Sequence, residues 1–224
     1  MRGPLLIAGL YAILDLPQRF GLDPAAALEA MLDGGASVIQ LRSKAAPLDP
    51  SLVAALARRC QARGVPLIIN DEVELAERGI AGVAGVHLGQ GDLARLGSTP
   101  AERRDRRISL RARNVALGIS THDLDQLRVT LQDDAPDYVG FGPVFSTRSK
   151  ANPDPVVGLD GLAAACVRST VAVVAIGGID RARAVEVARA GASAFAVISA
   201  LAGPDPSTIR ASALALREAF GSGS

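Results

Sequence analysis

With 224 residues the chain can build a full core, and 49% apolar residues with positive mean hydropathy exclude a disordered protein. Lys plus Arg (24) nearly balance Asp plus Glu (23), which excludes a general nucleic-acid or membrane-surface binder, so any anion site must be local. Cys60 and Cys166 show no C-x-x-C or metal-like spacing and read as buried thiols of a reducing, cytoplasmic compartment. The opening MRGPLLIAGLYAIL has the look of a signal-peptide apolar region, but Gly9, Tyr11 and Asp15 interrupt it and no small-residue cleavage site follows. A first strand at 10–14 is expected instead. No apolar run is long enough to span a bilayer.

Asp23 and Pro24 supply an N-cap and a first-turn proline for a helix to 33, stopped by Gly34 and Gly35. A second strand follows at 37–41, with Arg42, Ser43 and Lys44 directly after it. Asp49 and Pro50 open a helix ending near 63–64. Strands three and four are expected at 66–69 and 83–88, joined by a short helix over 72–78 that Gly79 stops. Residues 94–114 are polar and arginine-rich. A helix around 100–107 and a loop are expected there, the arginines forming a solvated face rather than a binding patch.

Strand five, 115–119, ends in Ser120, Thr121 and His122. A helix over 124–132 leads to strand six at 137–141 and the loop GPVFSTRSK. Residues 152–157 are proline-rich without apolar period and read as a mobile lid. A helix at 159–168, strand seven at 171–176, Gly177–Gly178, a helix at 181–190 and strand eight at 194–198 follow. Asp205 and Pro206 begin a last helix through 220, and 221–224 are expected to fray. Strand–helix units repeated eight times in this length predict one (β/α)8 TIM barrel over 1–220. A doubly wound open sheet is the structural alternative, although it has fewer strands as a rule.

In such a barrel, chemistry collects at the carboxyl ends of the strands. Gln40, Arg42 and Lys44 follow strand two, Asn70 and Asp71 strand three, and Asp92 strand four. The right-handed crossover between strands three and four brings Asp71 and Asp92 to one end of adjacent strands, close enough to share a hard cation. The bland alternative is two unrelated aspartates capping helices. Ser120 follows strand five, and Thr147, Ser149 and Lys150 follow strand six. Gly177 and Gly178 follow strand seven, where backbone N–H groups can approach a phosphate, and Ser199 ends strand eight. Arg42 and Lys44 alternate, so one extended segment can present both to a polyanion. His87, inside strand four, reads as a hydrogen-bonded wall residue. His122 flanks a helix and has no carboxylate partner in sequence.

The segments QLRSK, INDEVELA, GVHLGQGDL, GISTH, DYVGFGPVFSTRSK, AIGGI and AVISA occur in an order and spacing that resembles the thiamine phosphate synthase family, from about residue 10 to 200. The resemblance implies a TIM barrel that joins hydroxymethylpyrimidine pyrophosphate to hydroxyethylthiazole phosphate and releases pyrophosphate with Mg2+. It implies that Gln40, Leu41, Arg42, Ser43, Lys44, Asn70, Ser120 and Lys150 meet the pyrimidine pyrophosphate, with Arg42, Lys44, Ser120 and Lys150 taking part in catalysis. Asp71 and Asp92 would hold the metal. Thr147, Arg148, Ser149, Gly177, Gly178, Ile198 and Ser199 would hold the thiazole phosphate. Departures from the family pattern are Leu14 and Ser149 where threonine is usual and Glu72 where arginine is usual; the stretch 101–113 matches poorly. The partners expected are the two small-molecule substrates, with no nucleic acid and no membrane, and self-association is allowed.

Two other functions compete. A sister thiazole tautomerase looks similar but needs no metal and lacks the acidic pair, so Asp71 and Asp92 discriminate against it. A non-catalytic phosphate-ligand barrel would show a missing rim cation or carboxylate, and none is missing.

Overall fold

The computed structural model describes residues 5–18, 20–147 and 154–223. Eight parallel strands close into a barrel in chain order: β1 (Gly9–Leu16), β2 (Val38–Ser43), β3 (Leu67–Asn70), β4 (Val83–Leu88), β5 (Ala116–Thr121), β6 (Tyr138–Phe141), β7 (Ala172–Ile176) and β8 (Ala194–Val197). β8 returns to β1, pairing Ala194 with Gly9 through Val197 with Ala12, so no strand edge stays open. Helices α1 (Pro24–Asp33), α2 (Pro50–Ala62), α3 (Val73–Glu77), α4 (Pro100–Ala112), α5 (Leu124–Asp133), α6 (Gly158–Arg168), α7 (Arg181–Arg189) and α8 (Pro206–Gly221) alternate with them. The barrel expected from the repeated units is the one found; the open sheet is not. No helix among the described residues is long and apolar enough to cross a membrane.

The period of two along each strand divides the core into an outer and an inner layer. Leu10, Ala12 and Leu14 of β1 join the apolar layer between sheet and helices, whereas Tyr11 and Ile13 enter the barrel. Leu14 therefore faces away from the rim, and the threonine-to-leucine departure there touches only packing. Inside, Tyr138 occupies a space that exists because residue 118 is glycine. A Cβ at Gly118 would lie 2.1 Å from the Tyr138 ring.

Helix starts follow their caps. Asp23, Asp49 and Asp205 each accept a backbone N–H of the first turn, and each is followed by proline at the first helical position. Gly35 and Gly191 adopt φ of 86° and 91° where a helix turns back into a strand, a left-handed conformation that side chains disfavour. At the end of the described residues α8 runs through Gly221, and the backbone N–H groups of Ser222 and Gly223 donate to the Glu218 and Phe220 carbonyls.

The arginine-rich stretch is the main correction. Thr99 and Glu102 form a capping box, and α4 runs unbroken to Ala112. Arg104 and Arg111 are exposed, but Arg103, Arg106 and Arg107 are not part of a solvated face, because they staple α4 to its neighbours. Arg103 pairs with Asp134 at 2.5 Å, Arg106 with Glu77 at 2.7 Å, and Arg107 with Asp137 at 2.5 Å. Arg107 is buried, and Asp137 also accepts the Leu117 N–H at 2.7 Å, joining α4 to β5 and β6. Asp137→Ala would strand a buried guanidinium and is expected to cost about 3 kcal/mol, read as a thermal midpoint lowered by about 6–12 °C. A midpoint unchanged within about 1 °C would mean that the ion pair adds no net stability.

Candidate active site

At the carboxyl ends of the strands a cavity of about 710 Å³ opens. β2 sends Gln40 and Arg42 into it, and Lys44 follows from the next residues. Asn70 enters from the end of β3 and Asp71 directly after it, Gln90 and Asp92 after β4, and Ser120 from β5. Thr147, Gly177, Gly178, Ile198 and Ser199 close the far side. Residues scattered over most of the chain thus share one space. The side chains between the β2 contributors do not: Leu41 is buried in the outer apolar layer, and the Ser43 hydroxyl donates to the Ala46 carbonyl at 2.6 Å. Arg148, Ser149 and Lys150 lie outside the described residues, as do Asn152 and Pro153 of the expected lid.

Asp71 holds φ of 63°, unusual for a residue with a side chain, and its N–H donates to the His87 carbonyl at 2.9 Å. The Asn70 amide donates to its carboxylate at 2.5 Å. Burial pushes the Asp71 carboxyl above the usual range, and the charge of Asp92 adds to the rise, while Arg95 and Lys44 pull it back. The two aspartates therefore sense one another across the rim. Asp92 leans on Arg95 at 3.2 Å in a half-exposed pair that holds little energy. Among the described residues no group of three or more His, Cys, Asp and Glu side chains gathers here or elsewhere. Two like charges facing one polar cavity form the oxygen-donor set that a hard divalent cation shares with water and phosphate. The residues present fit Mg2+ and would not build an all-protein cage.

On β2, the strand next to β3, Arg42 is fixed by Asp15 at 2.8 Å and retains 11% side-chain exposure, so its guanidinium is both desolvated and aimed. Across the cavity Gly177 and Gly178 take φ of 102° and 65°. A Cβ on Gly178 would lie 2.4 Å from the Ser146 carbonyl, so this turn requires glycine. Arg183 donates to the Gly178 carbonyl at 2.6 Å and lies 4.7 Å from the Phe145 ring centre, bracing the turn.

Beneath the rim a line of hydrogen bonds crosses the barrel. Gln40 Nε2 donates to Tyr11 at 3.0 Å, and Tyr11 and Tyr138 share a bond of 2.9 Å. Tyr138 meets His87 Nδ1 at 3.1 Å, and His87 Nε2 meets Ser120 Oγ at 2.9 Å. Burial pushes both phenols up and takes the His87 imidazole down to about 4, so these groups are neutral near pH 7. His87 is a wall residue, as its place in the strand suggested. His122 does have a carboxylate partner: Nδ1 lies 2.6 Å from the Gly142 carbonyl and Nε2 3.5 Å from Asp154, which is distant in sequence. Val157, at the end of the same segment, donates its N–H to Pro143 at 2.9 Å, so residues 154–157 are tied to the β6 loop.

Sequence reasoning missed Tyr11, Tyr138, Gln90, Asp154 and Arg183. The tyrosines could have been found, since both sit at inward positions of strands, where a phenol needs a partner.

A family model described as thiamine monophosphate synthase matches residues 10–201. The thiamine-phosphate synthase of Chloroflexus aurantiacus is 39% identical over 204 residues, covering 90% of this chain and 88% of that protein. That of Anaeromyxobacter dehalogenans is 40% identical over 219 residues, covering 97% and 90%. Among solved structures, thiamine phosphate pyrophosphorylase from Pyrococcus furiosus superposes with a TM-score of 0.77 at 27% identity, covering 96% of each chain. A tryptophan synthase alpha subunit from Legionella pneumophila, at 14% identity and a TM-score of 0.69, shares the fold alone.

Proposed function

The chain belongs to the thiamine monophosphate synthase family, and on that premise we propose that its rim joins hydroxymethylpyrimidine pyrophosphate to hydroxyethylthiazole phosphate, giving thiamine phosphate and pyrophosphate. One observation carries the reading. A single cavity holds two cations and an acidic pair on one side and a glycine turn with hydroxyls on the other, a match to two phosphorylated substrates of unequal charge. The bond between the pyrimidine methylene and the pyrophosphate oxygen breaks first, its electron pair leaving with the oxygen. The thiazole nitrogen then gives its lone pair to the methylene carbon.

Arg42 and Lys44 meet the negative charge that grows on the departing group. Ser120 and Gln40 orient the pyrimidine, while Asn70 holds Asp71 in place. Asp71 and Asp92 would hold Mg2+, which when bound supplies Lewis-acid neutralisation of the pyrophosphate oxygens. Lys150 joins the pyrophosphate side, as its place in the GPVFSTRSK motif implies. Thr147, Gly177, Gly178, Ile198 and Ser199, with Arg148 and Ser149 of the same motif, hold the thiazole phosphate. The test is direct: the purified chain with both substrates and Mg2+ should form thiamine phosphate and pyrophosphate in equal amounts. No product with either substrate order would refute the reading.

Because Ser199 lies far from the reacting atoms in this scheme, it supplies binding that is equal in ground and transition states. Ser199→Ala is expected to raise KM for the thiazole phosphate about tenfold and to leave kcat within about twofold, the scale of one hydrogen bond to a charged group. Equal rises for both substrates would show that the phosphate is held elsewhere.

A further inference from the structure

The hydrogen-bond line below the rim has a direction, and the direction follows from counting protons. The Gln40 amide nitrogen brings its own hydrogen to the Tyr11 oxygen at 3.0 Å. Tyr11 therefore has its proton to give, and the neighbour that can take it is the Tyr138 oxygen at 2.9 Å. Tyr138, now an acceptor, passes its own proton on toward His87 Nδ1 at 3.1 Å. A neutral imidazole that accepts at Nδ1 carries its hydrogen on Nε2, where Ser120 Oγ lies 2.9 Å away. Every link is buried or half-buried, in a setting where hydrogen-bond chains polarise one another and broken ones are costly.

We propose that Gln40, Tyr11, Tyr138 and His87 form a polarised positioning chain that fixes the His87 tautomer and leaves the Ser120 proton free for the substrate. With one lone pair filled by His87, the hydroxyl presents one proton and one lone pair to the cavity. That pair matches the edge of an aminopyrimidine, where a ring nitrogen that accepts adjoins an amino group that donates. If the line ran the other way, Ser120 would give its proton to His87 and could only accept. The substrate edge would then lose its donor. The recognised edge thus depends on residues that never touch the substrate. This step rests on the reading of Ser120 as a pyrimidine contact.

The aromatic partners are held rigidly enough to keep one arrangement. Tyr138 stacks on His87 with ring centres 5.6 Å apart and interplanar angle 27°, and it fills the space left by Gly118. Tyr11 packs against Tyr138 with ring centres 6.0 Å apart, and no ring contact or hydrogen bond links Tyr11 to His87 among the described residues. Tyr11 can influence the imidazole only through Tyr138.

The test uses the full chain labelled with 15N-histidine, without substrate. The sequence holds two histidines, and a His122→Gln variant leaves a single imidazole for assignment. The wild-type spectrum should show the His87 hydrogen on Nε2 alone. In Tyr11→Phe, whose ring keeps its packing, the Tyr138 hydroxyl is no longer told which way to point. A second tautomer should appear, and kcat should fall about tenfold while KM for the thiazole phosphate stays within about twofold. Tyr138→Phe should show the same with a larger fall, and it decides the matter if Tyr11→Phe does not fold. A wild-type hydrogen on Nδ1, a single unchanged tautomer in both variants, or mixed tautomers with unchanged kcat would each overturn the proposal. Wild-type protein inactive with both substrates would instead overturn the synthase reading, and the spectra would still decide the direction of the chain.

Discussion

Replacing Arg42 by alanine is expected to lower kcat by about 10²–10³-fold, the scale of removing one preorganised electrostatic stabiliser. The substrate already carries charge on its pyrophosphate, so any cation nearby aids binding. What distinguishes Arg42 is its preparation before the reaction. Asp15 grips it at 2.8 Å and little of it meets water, so its field is not screened as that of a mobile lysine would be. When the carbon–oxygen bond breaks, new charge localises on the departing oxygen, and a fixed guanidinium stabilises that state more than the ground state. The loss should therefore fall on kcat more than on KM. Arg42→Lys keeps the charge without the fork and should recover only part of the rate. Lys150, assigned to the same group by its motif, should behave likewise when replaced by alanine. A tenfold rise in KM with kcat intact would reduce Arg42 to a binding residue.

How far such a site is legible depends on what each residue must do locally. Arg42 and Lys44 could be read because alternation after a strand sends every second residue the same way. By the same rule Leu41, before Arg42, and Ser43, between Arg42 and Lys44, send their side chains to the helices and to Ala46. Asp71 and Asp92 were legible through the crossover that joins their strands. The start of helix α4 was legible but its packing was not, because its arginines look like solvent-facing residues until their carboxylate partners on α3, just after α5 and just before β6 come into view. Long-range pairs of this kind leave no local pattern. The His122–Asp154 contact failed to show for the same reason. Tyr11 and Tyr138 were hidden differently, since a tyrosine within an apolar strand reads as core, and only the closed barrel brings the two hydroxyls together.

Asp71→Asn and Asp92→Asn should each remove much of the rate, and the double variant should lose little more than either alone. Both carboxylates face one cavity, and the Asp71 carboxyl is raised first by burial and further by the charge of Asp92. Sharing one cation would make the two groups act as a unit, so the first substitution would already forfeit most of what the pair provides. Neither aspartate completes a cage, and Mg2+ should bind the free enzyme weakly and bind better when pyrophosphate oxygens are present. Titrating Mg2+ calorimetrically, with and without pyrophosphate, checks this apart from activity. The pH dependence has a defined sign. A carboxylate whose proton is held more tightly than usual is neutralised sooner as pH falls, so the acid limb of kcat/KM should lie above that of an ordinary carboxylate. In Asp92→Asn the repulsion is gone while the burial remains, so the Asp71 carboxyl should lose part of its rise and that limb should move to lower pH. A double-variant loss equal to the product of the single losses would assign the two aspartates independent roles. Full activity in EDTA would remove the metal from the reaction and leave the acidic pair without the role proposed for it.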